Sequence, residues 1–131
     1  YRIADAVECI FNMLRRANKY IDETTPWVLA KDEANHARLD TVLYNLLETI
    51  RFAATLLKPF LPETGDRIFK QLNIEPTDWE SLSQFGFLKA GHKIGEGEIL
   101  FSRIDTAKKL EEIAEYHKKL EEPAKPALPG V

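Results

Sequence analysis

At 131 residues the chain is one domain's length, and 44% hydrophobic and 30% charged residues are ordinary values for a protein with a sizeable core. Its formal net charge of −3 argues against broad, sequence-blind nucleic-acid binding, which needs a basic face, so any such contact is expected to be local and specific. No apolar run approaches the roughly 18 residues of a membrane span, no basic-then-apolar leader is expected, and the single cysteine, Cys9, excludes an internal disulfide and fits a reducing, cytoplasmic compartment.

The chain opens at Tyr1 without an initiator methionine, and helical periodicity is under way by Ile3 with no convincing N-cap before it. We therefore expect a piece of a longer protein. Ile3, Val7, Ile10, Leu14, Ala17 and Ile21 recur at steps of three and four, which predicts a helix of about 20 residues. Arg2, Glu8, Asn12, Arg15, Arg16 and Lys19 fall on its outer face, and Cys9, near the apolar face, is expected to act as a small hydrophobe. Thr25 is a natural N-cap and Pro26 suits the first helical position, so Trp27–Glu33 is read as a short second helix. Asn35 is placed to cap a third, whose apolar face of Leu39, Val42, Leu43, Leu46, Leu47, Ile50, Ala54 and Leu57 is the strongest periodic signal in the chain.

Pro59 should push Lys58 out of the helical region and end that helix. A fourth helix is expected from about Pro62 to Leu72, with Ile68, Phe69 and Leu72 inward and Asn73 as its stop. Thr77-Asp78-Trp79-Glu80 has the form of a capping box before a single turn, with Trp79 read as a packing residue. "AGHKIGEGEILFSRID" is glycine-rich and then briefly apolar, reading as extended chain or a small hairpin. Asp105 can cap a last helix over Thr106–Leu120, with a weak stripe of Leu110, Ile113, Ala114 and Leu120. The tail "EEPAKPALPGV" spaces its prolines every three residues and predicts an extended linker. The fold class is thus all-α: an antiparallel helical bundle over 1–105, with an irregular C-terminal arm, followed by a linker helix and proline-rich tail over 106–131.

The chemistry open to these residues is narrow. His36, His92 and His117 are far apart and stand beside no cysteine pair, so no metal is expected. No serine sits on a strand-to-helix elbow, and Gly91, Gly95 and Gly97 lack the strand–turn–helix context of a phosphate loop. Asp22–Glu23 and Asp32–Glu33 read as solvated helix ends. No catalytic residue is expected. Trp27 keeps two readings. It packs on the first helix, or it serves as a platform: a helix's first turn leaves N–H groups without partners, Pro26 restricts the backbone, and an indole offers a π face and one donor. Such a platform suits an unstacked base of a single-stranded loop.

"ANKYIDETTPWVLAKD", followed in order by "LLKPFLPETGDRIFKQL", "WESL", "AGHKI" and "LFSRID", resembles the anticodon-binding domain of methionyl-tRNA synthetase, a class I aminoacyl-tRNA synthetase, over about residues 1–105. The resemblance implies a parent enzyme that activates methionine with ATP and magnesium and transfers it to tRNA(Met). It implies that Pro26 and Trp27 meet the anticodon loop, with Trp27 stacked on a splayed base, and that the catalytic nucleotide-binding domain, absent from this chain, is a partner in the same parent. An asparagine and an arginine that share anticodon recognition in the family are expected upstream of Tyr1. Arg38 and Lys31, flanking the tryptophan, rank first among candidates for phosphate contact, ahead of Arg15, Arg16 and Lys19. Asn18, Tyr20 and Asp22 belong to the matching block but read as structural, with Asn18 and Asp22 supporting the helix end as an i, i+4 pair. Ser102 stands where many members have proline, in an arm that folds back toward the catalytic half. A further tRNA-binding, dimerising domain comes after it in some bacterial members. The competing reading is a helical scaffold or protein-docking module with no direct RNA contact.

Overall fold

The computed structural model describes residues 1–121, and Tyr1–Leu100 form one compact unit, with the chain from Phe101 onward a second, described by itself. In the first unit α1 (Ile3–Thr24), α2 (Pro26–Leu29), α3 (His36–Leu57) and α4 (Pro62–Leu72) succeed one another along the chain. One-turn 3₁₀ helices lie at Glu33–Asn35 and Glu80–Ser83. The described residues contain no strand, so the arm after Leu88 is turn and extended chain and the hairpin alternative is excluded.

Helix α3 is the shared wall. It packs against α1, α2, the first 3₁₀ turn and α4. Tyr20 Oη accepts a 3.3 Å bond from Asn45 Nδ2, and Met13 and Thr49 line the same groove one or two turns along; numbers fall on one helix as they rise on the other, so α1 and α3 are antiparallel. The core proper is Ala54 with Ile68, Phe69 and Leu72 of α4, joined by half-buried Leu47, Ile50, Ile74 and Leu100. The inward face predicted for α4 and its stop at Asn73, in the left-handed conformation (φ 55°), are as expected.

Several local expectations need correction. The second helix is four residues long, not Trp27–Glu33, because the Asp32 carboxylate takes the Ala34 N–H at 3.0 Å and starts a separate 3₁₀ turn. Thr25 and Asn35 occupy the positions before α2 and α3 but make no side-chain cap bond. Lys58 stays in the right-handed helical region, so α3 ends because Pro59 brings no N–H to continue the ladder, not because its neighbour is displaced. Before Glu80–Ser83 the capping carboxylate is Asp78, bonded to Ser81 N–H at 3.0 Å, while Thr77 bonds Thr55 at 2.7 Å. Trp79 is 63% exposed and packs no core, and Cys9 is exposed.

The largest surprise lies inside. Glu48 and Arg51, three residues apart on α3, are fully buried. Arg51 Nη2 donates to Glu48 Oε2 at 3.0 Å and to Gln84 O at 3.0 Å, and its Nη1 donates to Ser81 Oγ at 3.1 Å. Glu48 accepts the backbone N–H groups of Gly86 and Leu88, each at 2.9 Å. The guanidinium carbon lies 4.7 Å from the Phe52 ring centre and 5.0 Å from that of Phe87. Residues 81–88 are thereby fastened across the face of α3 that a wheel of apolar residues leaves polar. Burial pushes the Glu48 carboxyl up, but Arg51 and the backbone amides of Leu88, Gly86 and Phe87 outweigh it and hold the group below the usual carboxylate range.

In the second unit α5 spans Thr106–Glu121. Asp105 caps it as expected, its carboxylate accepting from Ala107 N–H at 3.1 Å and Lys108 N–H at 3.3 Å. Every side chain of 101–120 is exposed, the predicted apolar stripe included. The proline-spaced tail lies outside the described residues.

Candidate nucleic-acid interface

The turn from α1 into α2 is made by one residue. Thr25 closes α1 by donating its N–H to Ile21 O at 2.9 Å and takes φ 43°, ψ 61°. A β-branched side chain rarely adopts this left-handed conformation. Thr24 Oγ1 bonds back to Tyr20 O at 2.6 Å and secures the last turn of α1. Pro26 then opens α2 with no N–H to satisfy, and Val28 and Leu29 N–H both find Thr25 O, at 2.8 and 3.3 Å.

Trp27 stands in that first turn. Its side chain is 54% exposed, and Val28 beside it is exposed too. Its backbone N–H and indole Nε1 have no protein partner among the described residues, and its ring meets no other aromatic or cation. More than half of the residue is thus open to solvent.

Lys31 comes just after α2 and Arg38 lies in the first turn of α3; both are exposed. Arg38, Val42, Asn45 and Thr49 run down one stripe of α3. Val42 on it is fully buried and Asn45 bonds Tyr20 of α1, so the stripe faces α1 and Arg38 is its exposed head. Among the described residues neither Arg38 nor Lys31 is in an ion pair. The other three cations are engaged: Arg15 with Glu8, Arg16 with Glu23 at 3.0 Å, and Lys19 with the same carboxylate at 3.9 Å. Tyr20 is structural through Asn45. No hydrogen bond joins Asn18 to Asp22, both exposed, so the local brace expected of that pair is not formed.

Among the described residues no group of three or more His, Cys, Asp or Glu side chains is placed to hold a metal ion, and no helix is long and apolar enough to cross a membrane. The arrangement offers a presented aromatic, free backbone donors and two uncommitted cations. These are the parts of a binding module. The chain belongs to the family described as the anticodon binding domain of methionyl tRNA ligase, whose model matches residues 3–122. It is 61% identical over 112 residues to a methionine–tRNA ligase of Clostridium acetobutylicum, covering 86% of this chain and 17% of that protein. A methionine–tRNA ligase of Caldanaerobacter subterraneus subsp. tengcongensis is 52% identical over 126 residues, 95% of this chain and 19% of its own length. One from Bacillus subtilis is 43% identical over 108 residues, 80% of this chain and 16% of its own. The chain thus spans less than a fifth of the length of the curated relatives it matches.

Proposed function

We propose that this domain reads the anticodon loop of tRNA(Met) for a cytoplasmic methionine–tRNA ligase, and that Trp27 does so by stacking on a base splayed out of the loop. Pro26 sets the backbone so that the ring is presented with few alternative poses. Arg38 and Lys31 meet loop phosphates, as the two cations near the turn with no carboxylate to leave. The parent activates methionine with ATP and magnesium; that chemistry belongs to a catalytic nucleotide-binding domain of the parent enzyme, and no residue here takes part in it. The observation that carries the reading is the half-open indole on a proline-led turn, with its N–H groups unpartnered.

Base–aromatic stacking contributes about 1–3 kcal/mol, so Trp27→Ala should weaken binding of a tRNA(Met) anticodon stem-loop by about five- to 150-fold. Affinity is read from the anisotropy of a dye-labelled stem-loop, which serves both proteins alike; because Trp79 is also exposed, quenching in a Trp79→Phe background separately reports contact with Trp27. Unchanged affinity in a folded Trp27→Ala variant would end this reading. The 131 residues by themselves should bind only weakly, since they span less than a fifth of the length of the relatives they match.

A further inference from the structure

The arm after residue 80 is attached in two different ways. Residues 81–88 are held from inside: Leu88 is buried, its N–H and that of Gly86 end on the buried Glu48 carboxylate, and Tyr44 Oη donates to Leu88 O at 2.5 Å. Residues 92–100 are held from outside, along α4. Arg67 donates to Glu98 Oε1 at 2.9 Å, Ile99 O at 2.9 Å and Leu100 O at 3.1 Å. Gln71 Nε2 donates to Glu98 O at 3.2 Å, Asn73 Nδ2 to Lys93 O at 3.1 Å, and Gly95 N–H to Gln71 O at 2.8 Å. His92 Nε2 lies 2.6 Å from Leu72 O.

These outer contacts are nearly all polar and most are wet. Arg67 and Glu98 are each close to half-exposed, and Ile94 and Ile99, the apolar side chains the segment could have buried, are 56% and 80% exposed. Half-buried Leu100 packs on the core, and Ile94, though mostly exposed, borders an open apolar cleft with Leu43, Leu47 and Ile50 of α3. Between the two attachments Lys89, Ala90 and Gly91 form an exposed turn, with Gly91 at φ 78° and nothing within 4 Å of where a Cβ would stand. The same turn borders an open cleft of about 610 Å³ against Leu43, Tyr44 and Leu47 of α3, so it is not propped from beneath.

We propose that residues 92–100 are a strap that lifts from α4 as a unit about the turn Lys89–Gly91, while residues 81–88 stay clamped to α3. Exposed hydrogen bonds with little apolar burial open at far lower free energy than a buried core, and surface ion pairs add little to hold them. Opening releases the chain at Leu100, the last residue of the first unit. The strap thus opens up to the end of the first unit without disturbing the helices, whatever α2 binds.

Amide hydrogen exchange on the whole 131-residue chain tests this. The Gly95 N–H, which ends on the strap's partner Gln71, should be at least about tenfold less protected than the N–H groups of Gly86 and Leu88. Low urea should leave Gly95 exchange unchanged while that of Gly86 and Leu88 rises with the α3 core. Arg67→Ala should lower Gly95 protection severalfold further and leave its exchange independent of low urea. Equal protection and equal urea dependence at the three amides would show one cooperative unit and overturn the strap, as would an Arg67→Ala variant whose Gly95 protection is unchanged.

Discussion

Removing Glu48 leaves the Arg51 guanidinium charged in a place water does not reach. Breaking a buried pair in this way costs about 3–5 kcal/mol, a large part of the roughly 5–15 kcal/mol that holds a domain together. We expect Glu48→Ala to lower the urea midpoint accordingly. The double variant Glu48→Leu, Arg51→Met should cost less than the sum of its parts, because neither charge is then stranded. Thr25 is the opposite kind of residue, strained and not satisfied. A left-handed conformation disfavours a β-branched side chain by about 1–2 kcal/mol, so Thr25→Gly should leave stability level or raise it slightly, the relief set against glycine's looser unfolded chain. The same variant should bind the stem-loop less well, because the turn then no longer dictates where the indole points. Stability by urea and affinity by fluorescence separate the two effects. The burial of Glu48 and Arg51 was not legible in the sequence. Glu48 and Arg51 fall on the polar side of the α3 wheel, and only the backbone of 81–88, some 30 to 40 positions away, turns that side into an interior.

At the scale of elements, local signals worked where the chain's own caps decide the outcome. Pro62 and Asn73 bound α4, and Asp105 starts α5, as their residue types predict. They failed where a neighbouring carboxylate starts a different turn: Asp32 takes the Ala34 N–H and Asp78 that of Ser81, opening one-turn 3₁₀ helices in place of the longer or differently capped ones expected. Burial was misjudged for the same reason of distance. Trp79 and Cys9 have apolar neighbours in sequence but none that close over them in space. Helix α5 shows how much one cap can matter. Its described side chains are exposed along its length, and a solvated helix of this size is marginal in water. Losing a capping carboxylate costs about 0.5–2 kcal/mol, so Asp105→Ala should largely melt 106–121, seen as lost helical Cα shifts there and unchanged shifts in α3 and α4. Residue order alone made the Pro26–Trp27 step readable as a helix start but left Trp27 with two readings, and its exposure comes only from the structure. That Arg38 and Lys31 have no ion-pair partner among the described residues was not legible either, since it depends on which side chains the nearby carboxylates reach in space.

For the whole molecule the Glu48 carboxyl ties folding to pH. Its folded value lies below the ordinary one, so the stabilisation it gives is complete above the carboxylate's unfolded pKa and is lost as pH falls through the lower, folded value. Unfolding free energy should therefore drop on acidification below about pH 4.5, the ordinary value for a glutamate. Glu48→Gln, less stable at neutral pH, should show a shallower fall when both proteins are titrated in urea. The other three helices of the first unit, meanwhile, all pack on α3. That has a consequence for the order of events when the chain refolds. Few contacts can form before α3 does, and the short link Lys58–Leu61 gives α3 and α4 the least loop to close. The two should form the folding nucleus. Trimming Phe69 should slow refolding in stopped-flow measurements, whereas trimming Ile10 on α1 should mainly hasten unfolding.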